Sequence, residues 1–478
     1  MHRQPGPSPR PRIADTMAPS GVGGANMRAV MACLLALGAC LAAPQVAPQV
    51  APQAGGETAA SGPPRVRVVQ HDGAWRLLLD GRPYQVRGAG SADGDLEELA
   101  ARGGNSVRTW STGSDEAAVR AMLDRAQRNG LTVAMGLAVG KERHGFDYDD
   151  PAAVAAQLQR LRQEVRLYRE HPAVLMWLVG NELNLESRNP KVWDAVGQIA
   201  DMIHEEDPDH PVMTPLAGFD RALIDLVRAR APSLDLIGLQ LYGDLDALPA
   251  RLRDAGWNGP YIVTEWGPTG HWESPLTAWG APLEDDASRK AALLQRRYRE
   301  AIAADPDQCL GSYVFLWGHK QERTPTWYGL FLAGGESTPA VDAMQWLWTG
   351  RWPDNRAPSI GPATIDGAGG ADSVVLAPGS AHEAAAAADD ADGDALAWHW
   401  YAREESTATS IGGDPEAMPA QVELRATPLA DGRLRFIAPR RPGHYRLFVE
   451  VRDGRGHAAY ANLPFRVGDG PAPTSAAR

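Results

Sequence analysis

Cysteine is nearly absent: only Cys33, Cys40 and Cys309 occur in 478 residues, with no CxxC spacing among them. So few and so scattered, they exclude a cysteine metal cluster. Positive charge is never concentrated: no basic block of five or more occurs, and 47 Lys+Arg against 59 Asp+Glu leave a net −12. Such an anion has no electrostatic footprint for nucleic acid or for an anionic membrane surface. Long apolar runs are missing too. The only continuous one, residues 29–43, falls short of the ~20 residues a permanent bilayer span needs. Phenylalanine is scarce, 7 residues against 15 tryptophans. The indole offers a flat π face and one donor, which suits sugar stacking as well as core packing. An apolar content of 44% excludes wholesale disorder, and the length allows more than one domain.

Met27-Arg28 precede the apolar run, which therefore reads as an export signal. Leu37-Gly38-Ala39-Cys40 resembles the lipobox of bacterial lipoprotein signals, which implies that Cys40 is acylated and becomes the mature N-terminus. Residues 1–42 are then a leader. Residues 43–64, with repeated Ala-Pro-Gln-Val, are an extended tether. The expectation is an exported protein, an outer-membrane lipoprotein or a periplasmic one, meeting the membrane only through a lipid at Cys40. Cys309 is left unpaired, a small buried hydrophobe.

Order begins near Arg65 with a hairpin whose turn is His71-Asp72-Gly73-Ala74. Eight β-rich runs follow, at 84–89, 106–110, 131–139, 174–180, 211–216, 234–241, 261–264 and 311–317, alternating with helical patterns. The clearest helix starts at Asp150-Pro151, a cap and a first-turn proline, and repeats Val154, Leu158, Leu161, Val165 and Tyr168 at spacings of three and four. Another covers 288–298. The pattern predicts an α/β fold, a (β/α)8 TIM barrel over 65–352. A doubly wound sheet is disfavoured because Gly88-Ala89-Gly90 lacks the rest of a phosphate-binding fingerprint. From 358 to 470 short alternating runs and Asp-Gly turns predict a small all-β sandwich. Its aspartates at 389–394, in a stretch resembling the early strands of immunoglobulin-like modules, read as a solvated acidic loop rather than a metal site.

Barrel chemistry belongs at the C-terminal ends of the strands. The fourth run ends in Gly180-Asn181-Glu182 and the seventh in Thr264-Glu265-Trp266. A charge at the end of a buried strand is costly without a partner or a role. Strands four and seven face each other across a barrel mouth, so the two glutamates can share one pocket. Glycoside hydrolysis needs such a pair, one carboxyl to protonate the leaving oxygen and one to attack or to activate water.

Three stretches, Gly104-Asn-Ser-Val-Arg-Thr-Trp110, His171-Pro-Ala-Val-Leu-Met-Trp-Leu-Val-Gly-Asn-Glu182 and Ile262-Val-Thr-Glu-Trp-Gly267, make the segment from about 80 to 350 resemble a clan A glycoside hydrolase, nearest the family 2 catalytic barrel. The resemblance implies a retaining mechanism with Glu182 as general acid/base and Glu265 as nucleophile. It further implies that Asn181 hydrogen-bonds the 2-hydroxyl, that Arg108 pairs with Glu265, that Tyr242 orients the nucleophile, and that Trp317 floors the sugar subsite. Trp272, Trp279 and Trp327 are candidate sugar platforms, packing being an equal alternative. Two departures from family 2 stand out: only a hairpin precedes the barrel, and Gln240 stands where relatives often carry Asn. The expectation is an O-glycosyl hydrolase acting on an oligo- or polysaccharide with β linkages, such as a β-glucan, with no cofactor. A transglycosylase and a non-catalytic surface glycan-binding protein are the alternatives.

Overall fold

The computed structural model describes residues 64–91 and 93–468. Cys33, Cys40, the leader and residues 43–63 of the tether lie outside these described residues.

Strands Val66–His71 and Ala74–Leu79 pair antiparallel around Asp72 and Gly73, both at positive φ (51° and 82°), as a two-residue Asp-Gly hairpin turn requires. This hairpin sits under the barrel. Val66 donates its N–H to Asp209 O and Trp75 to Asp307 O, both in segments leading into barrel strands. Val66 and Leu77 are buried in one cluster with Val86, Leu175, Met213, Leu236 and Ile262, and so close the barrel's N-terminal end.

Eight parallel strands form the closed barrel: β1 (Val86–Gly90), β2 (Ser106–Arg108), β3 (Thr132–Leu137), β4 (Val174–Val179), β5 (Val212–Ala217), β6 (Leu236–Gln240), β7 (Tyr261–Trp266) and β8 (Cys309–Val314). Each expected run overlaps one of them. The helices that follow are α1 (Leu96–Ala101), α2 (Glu116–Arg128), α3 (Pro151–Tyr168), α4 (Lys191–Glu206), α5 (Arg221–Arg230), α6 (Leu248–Asp254), α7 (Ala287–Arg297) and α8 (Pro339–Thr349). Every residue of β4 is buried, as a strand covered on both faces must be. Its Trp177 donates Nε1 to Asp207 Oδ2 at 2.7 Å, which leaves the indole no unpaired donor. In α3, Asp150 accepts from the Ala152 and Ala153 amides, Pro151 occupies the first turn, and Leu161, Val165 and Tyr168 are buried against the barrel.

Beyond α8 the chain builds antiparallel sheets. The longest ladder pairs Gly443–Arg452 with Ala458–Val467, and Ala397–Glu404 lies along the first of these. A four-stranded and a five-stranded sheet enclose a core that includes Phe436, Leu447, Val449 and Phe465. Ala287 of α7 and Leu332 belong to the same core, so sandwich and barrel share apolar burial. Polar contacts reinforce the junction. Lys290 of α7, its side chain 4% exposed, gives Nζ to Glu284 Oε1 (2.6 Å), to Thr326 O and Trp327 O, and to the Tyr460 hydroxyl of the sandwich. Among the described residues no helix is long and apolar enough to cross a membrane.

Candidate active site

Glu265 lies inside β7, one residue before its end, and is buried. Its Oε1 accepts from Arg108 Nη1 (2.7 Å), Trp110 Nε1 (2.7 Å) and Gln240 Nε2 (2.8 Å). Its Oε2 accepts only from the Tyr242 hydroxyl, at 3.1 Å. All four neighbours are donors, an array that fits a carboxylate. Arg108, fully buried at the end of β2, also gives Nη1 to Thr264 O and Nη2 to Asn181 Oδ1. Gln240 Nε2 reaches the same Asn181 oxygen at 2.8 Å. Two donors on Oδ1 fix the Asn181 amide, so its Nδ2 is the atom left to meet a ligand. Burial, and next Glu265, raise the Tyr242 phenol well above its usual range, so it acts as a donor.

Glu182 occupies a different environment. The chain leaves β4 through Gly180 at φ +73° and Glu182 itself at φ +53°, with the Glu182 amide donated to Pro215 O. A non-glycine residue at positive φ is uncommon, and such outliers concentrate at functional sites. The residue is 8% exposed. Burial, and next the charge of Glu265, raise its pKa from 4.5 to about 7, against the opposing pull of Lys141, Arg108 and Arg143. One carboxyl thus holds its proton near neutrality while the other is surrounded by donors.

Both carboxyls open into one cavity of 1490 Å3, larger than the ~300–1,000 Å3 of an ordinary small-molecule site. Asn181, Gln240, Tyr242, Trp110, Lys141 and Trp272 line it. Lys141 faces both glutamates; burial, and next Arg143, lower its pKa. Burial, and next Arg323, push His271 down to about 4, so the imidazole beside Trp272 is neutral.

Trp317 needs correction. The last strand ends at Val314, not 317, and the Trp317 ring is fully buried against Phe331 and Trp348, with Nε1 on Asp95 O. It does not line the cavity; Phe315 and Leu316 do. Of the three tryptophans proposed as platforms, Trp272 stands at the mouth, 60% exposed and edge-on to Tyr242. Trp327 is buried, and Trp279 stacks on His444 of the sandwich.

Sequence reasoning missed Trp110 and Gln240 as donors to Glu265, and Lys141 as a cavity cation. Trp110 carried a signal, standing two residues beyond Arg108 on a strand end, where alternation returns a side chain to the same face. Away from the barrel, Asp390, Asp394 and Asp453 bring carboxylate oxygens within 4.8 Å of one another. These residues could hold a cation, although Asp390 already accepts two loop amides, Asp394 takes Arg455, and Asp453 takes His457.

The (β/α)8 barrel carries carboxyls at the ends of strands four and seven, with Asn181 before the first and Arg108 bound to the second, as the resemblance to clan A glycoside hydrolases implies. Residues 95–269 match the model of the family described as glycosyl hydrolases family 2, TIM barrel domain. No curated protein matches the chain in sequence. Similar solved structures include a β-D-glucuronidase from Dictyoglomus thermophilum (17% identity, TM-score 0.47, 61% of this chain and 54% of that one). Another is a β-glucuronidase from Bacteroides uniformis (15%, 0.46, 85% and 48%). A third is a family 2 β-galacturonidase from Eisenbergiella tayi bound to galacturonate (16%, 0.46, 60% and 54%). The chain spans about half the length of these proteins.

Proposed function

We propose that the protein is a retaining β-glycosidase acting on a β-linked glycan such as a β-glucan. The observation that carries this reading is the contrast between two carboxyls in one cavity, Glu182 raised to about 7 and Glu265 ringed by four donors. A carboxyl that holds its proton beside one ringed by donors divides the roles of acid and nucleophile between them. Binding alone requires no such division.

Glu182 donates its proton to the glycosidic oxygen as the bond from that oxygen to the anomeric carbon breaks. Glu265 attacks the anomeric carbon through Oε2, the oxygen with a single donor, and forms a glycosyl ester. The leaving sugar departs as a neutral alcohol. Glu182, now a carboxylate, takes a proton from water, whose oxygen attacks the anomeric carbon and releases Glu265. The free Nδ2 of Asn181 supplies a donor to the 2-hydroxyl beside the reacting carbon. We also propose that the chain is exported and held at the membrane by a lipid on Cys40.

The test is product analysis on β-glucans, β-mannans and β-galactans with the full chain beside Glu182→Ala and Glu265→Gln. Expected are short products from the native chain and none from Glu265→Gln. Glu182→Ala should be slowed about 10²–10⁴-fold, with azide restoring turnover. Products longer than the starting oligosaccharide would replace hydrolysis by transglycosylation, and equal activity in all three proteins would remove the assignment.

A further inference from the structure

The sandwich reaches into the catalytic cavity. Between strands Ala397–Glu404 and Gln421–Val422 the chain leaves its sheet, and Ile411, Gly412, Gly413, Asp414 and Pro415 line the same cavity as Glu182 and Glu265. The segment is tied to the barrel at two separate places. After β8, Lys320 gives Nζ to Gly413 O (2.8 Å), and the Arg323 amide reaches Glu416 Oε2 (2.7 Å), with Arg323 Nη1 on Ala408 O. After β3, Arg143 Nη2 meets Asp414 Oδ1 at 3.2 Å, and His144 Nε2 meets Oδ2 at 3.1 Å. The segment is also braced within itself and at its root, by Ser410 on Glu416 Oε1 and by Arg446 on Glu405.

Gly412, at φ +58°, packs beside Glu182. A methyl group there would stand 2.9 Å from Glu182 Oε2, 2.7 Å from Leu185 Cδ2 and 2.8 Å from Arg143 Nη2. The segment therefore abuts the proton donor. A proton donor must lie within ~2.6–3.2 Å of the oxygen it protonates, so what packs beside it also faces the departing group.

We propose that residues 411–414 form the wall of the leaving-group subsite, so that the sandwich selects which glycan can depart. This rests on Glu182 being the acid/base. Asp414 has a second role as a positioning residue: it offsets the charge of Arg143 beside Glu182. The groups facing Glu182 are Arg108 from β2, Lys141 and Arg143 after β3, Tyr242 after β6, Glu265 from β7 and, through Arg143, Asp414 from the sandwich.

The experiment uses the full chain with two leaving groups on one sugar, dinitrophenyl and a second sugar, across β-glycosides of glucose, galactose, mannose and glucuronic acid. Ile411→Ala should change the ratio of kcat/KM between disaccharide and dinitrophenyl glycoside about tenfold. Asp414→Asn should move the alkaline limb of the disaccharide profile to lower pH. The dinitrophenyl kcat/KM profile should stay in place, since that group departs without a proton. An unchanged ratio together with an unmoved limb, or equal losses on both substrates, overturns the wall while leaving the glycosidase intact. A native chain that cleaves none of these glycosides overturns the glycosidase reading instead.

Discussion

Replacing Glu182 by Gln should make the protein more stable at alkaline pH and leave it unchanged in acid. The carboxyl titrates at about 7 in the fold and at 4.5 when unperturbed, with burial first and Glu265 second as causes. The folded state therefore binds this proton more tightly than the unfolded chain does. The stability it contributes is complete below about pH 4.5 and is lost as pH rises through about 7. Above that, holding the ionised carboxyl in its buried place costs about 3 kcal/mol. Gln copies the shape of the neutral acid and never ionises. At pH 9 the variant should gain that ~3 kcal/mol, which over about 400 residues is a rise of about 4 °C in Tm. At pH 4.5 the two proteins should agree to within about 0.5 kcal/mol. Calorimetric unfolding of both proteins at the two pH values measures the difference directly. In a Glu265→Gln background the gain should shrink, because the like charge is gone, but persist, because burial remains the larger cause. A constant offset at both pH values, or a loss at pH 9, would refute the assignment of a proton-holding Glu182.

Arg108→Met should destabilise the barrel by about 3–5 kcal/mol, since Glu265 keeps its buried charge and loses its cation. It should also cut kcat/KM about a hundredfold; a Tm and a kcat/KM both near native would show that the pair carries neither load. Cys40→Ser should release the protein from membranes into the soluble fraction, and continued dependence on detergent would rule out acylation as the anchor.

The alternation of apolar strands with amphipathic helices determined the barrel from the sequence alone. All eight strands are legible because each is a short buried run, and the α3 start is legible because Asp150-Pro151 is local capping chemistry. The two glutamates are legible for the same reason: a charge closing an apolar strand is conspicuous. What each glutamate meets was decided only by closure of the barrel. Four donors from two segments, Arg108 and Trp110 at the end of β2 and Gln240 and Tyr242 at the end of β6, converge on Glu265; the two-residue spacing within each pair is local, and the meeting of the two pairs is not. Trp317 shows the converse, since β8 ends at Val314 and the chain then turns the indole into the core, a register set by neighbouring strands. The sandwich loop is the extreme case. Arg143 and Asp414 stand 271 residues apart and meet because the two domains share a core. Local patterns fix the elements and mark the reacting groups; contacts between distant segments fix what surrounds them, because only docking brings those atoms within hydrogen-bond range.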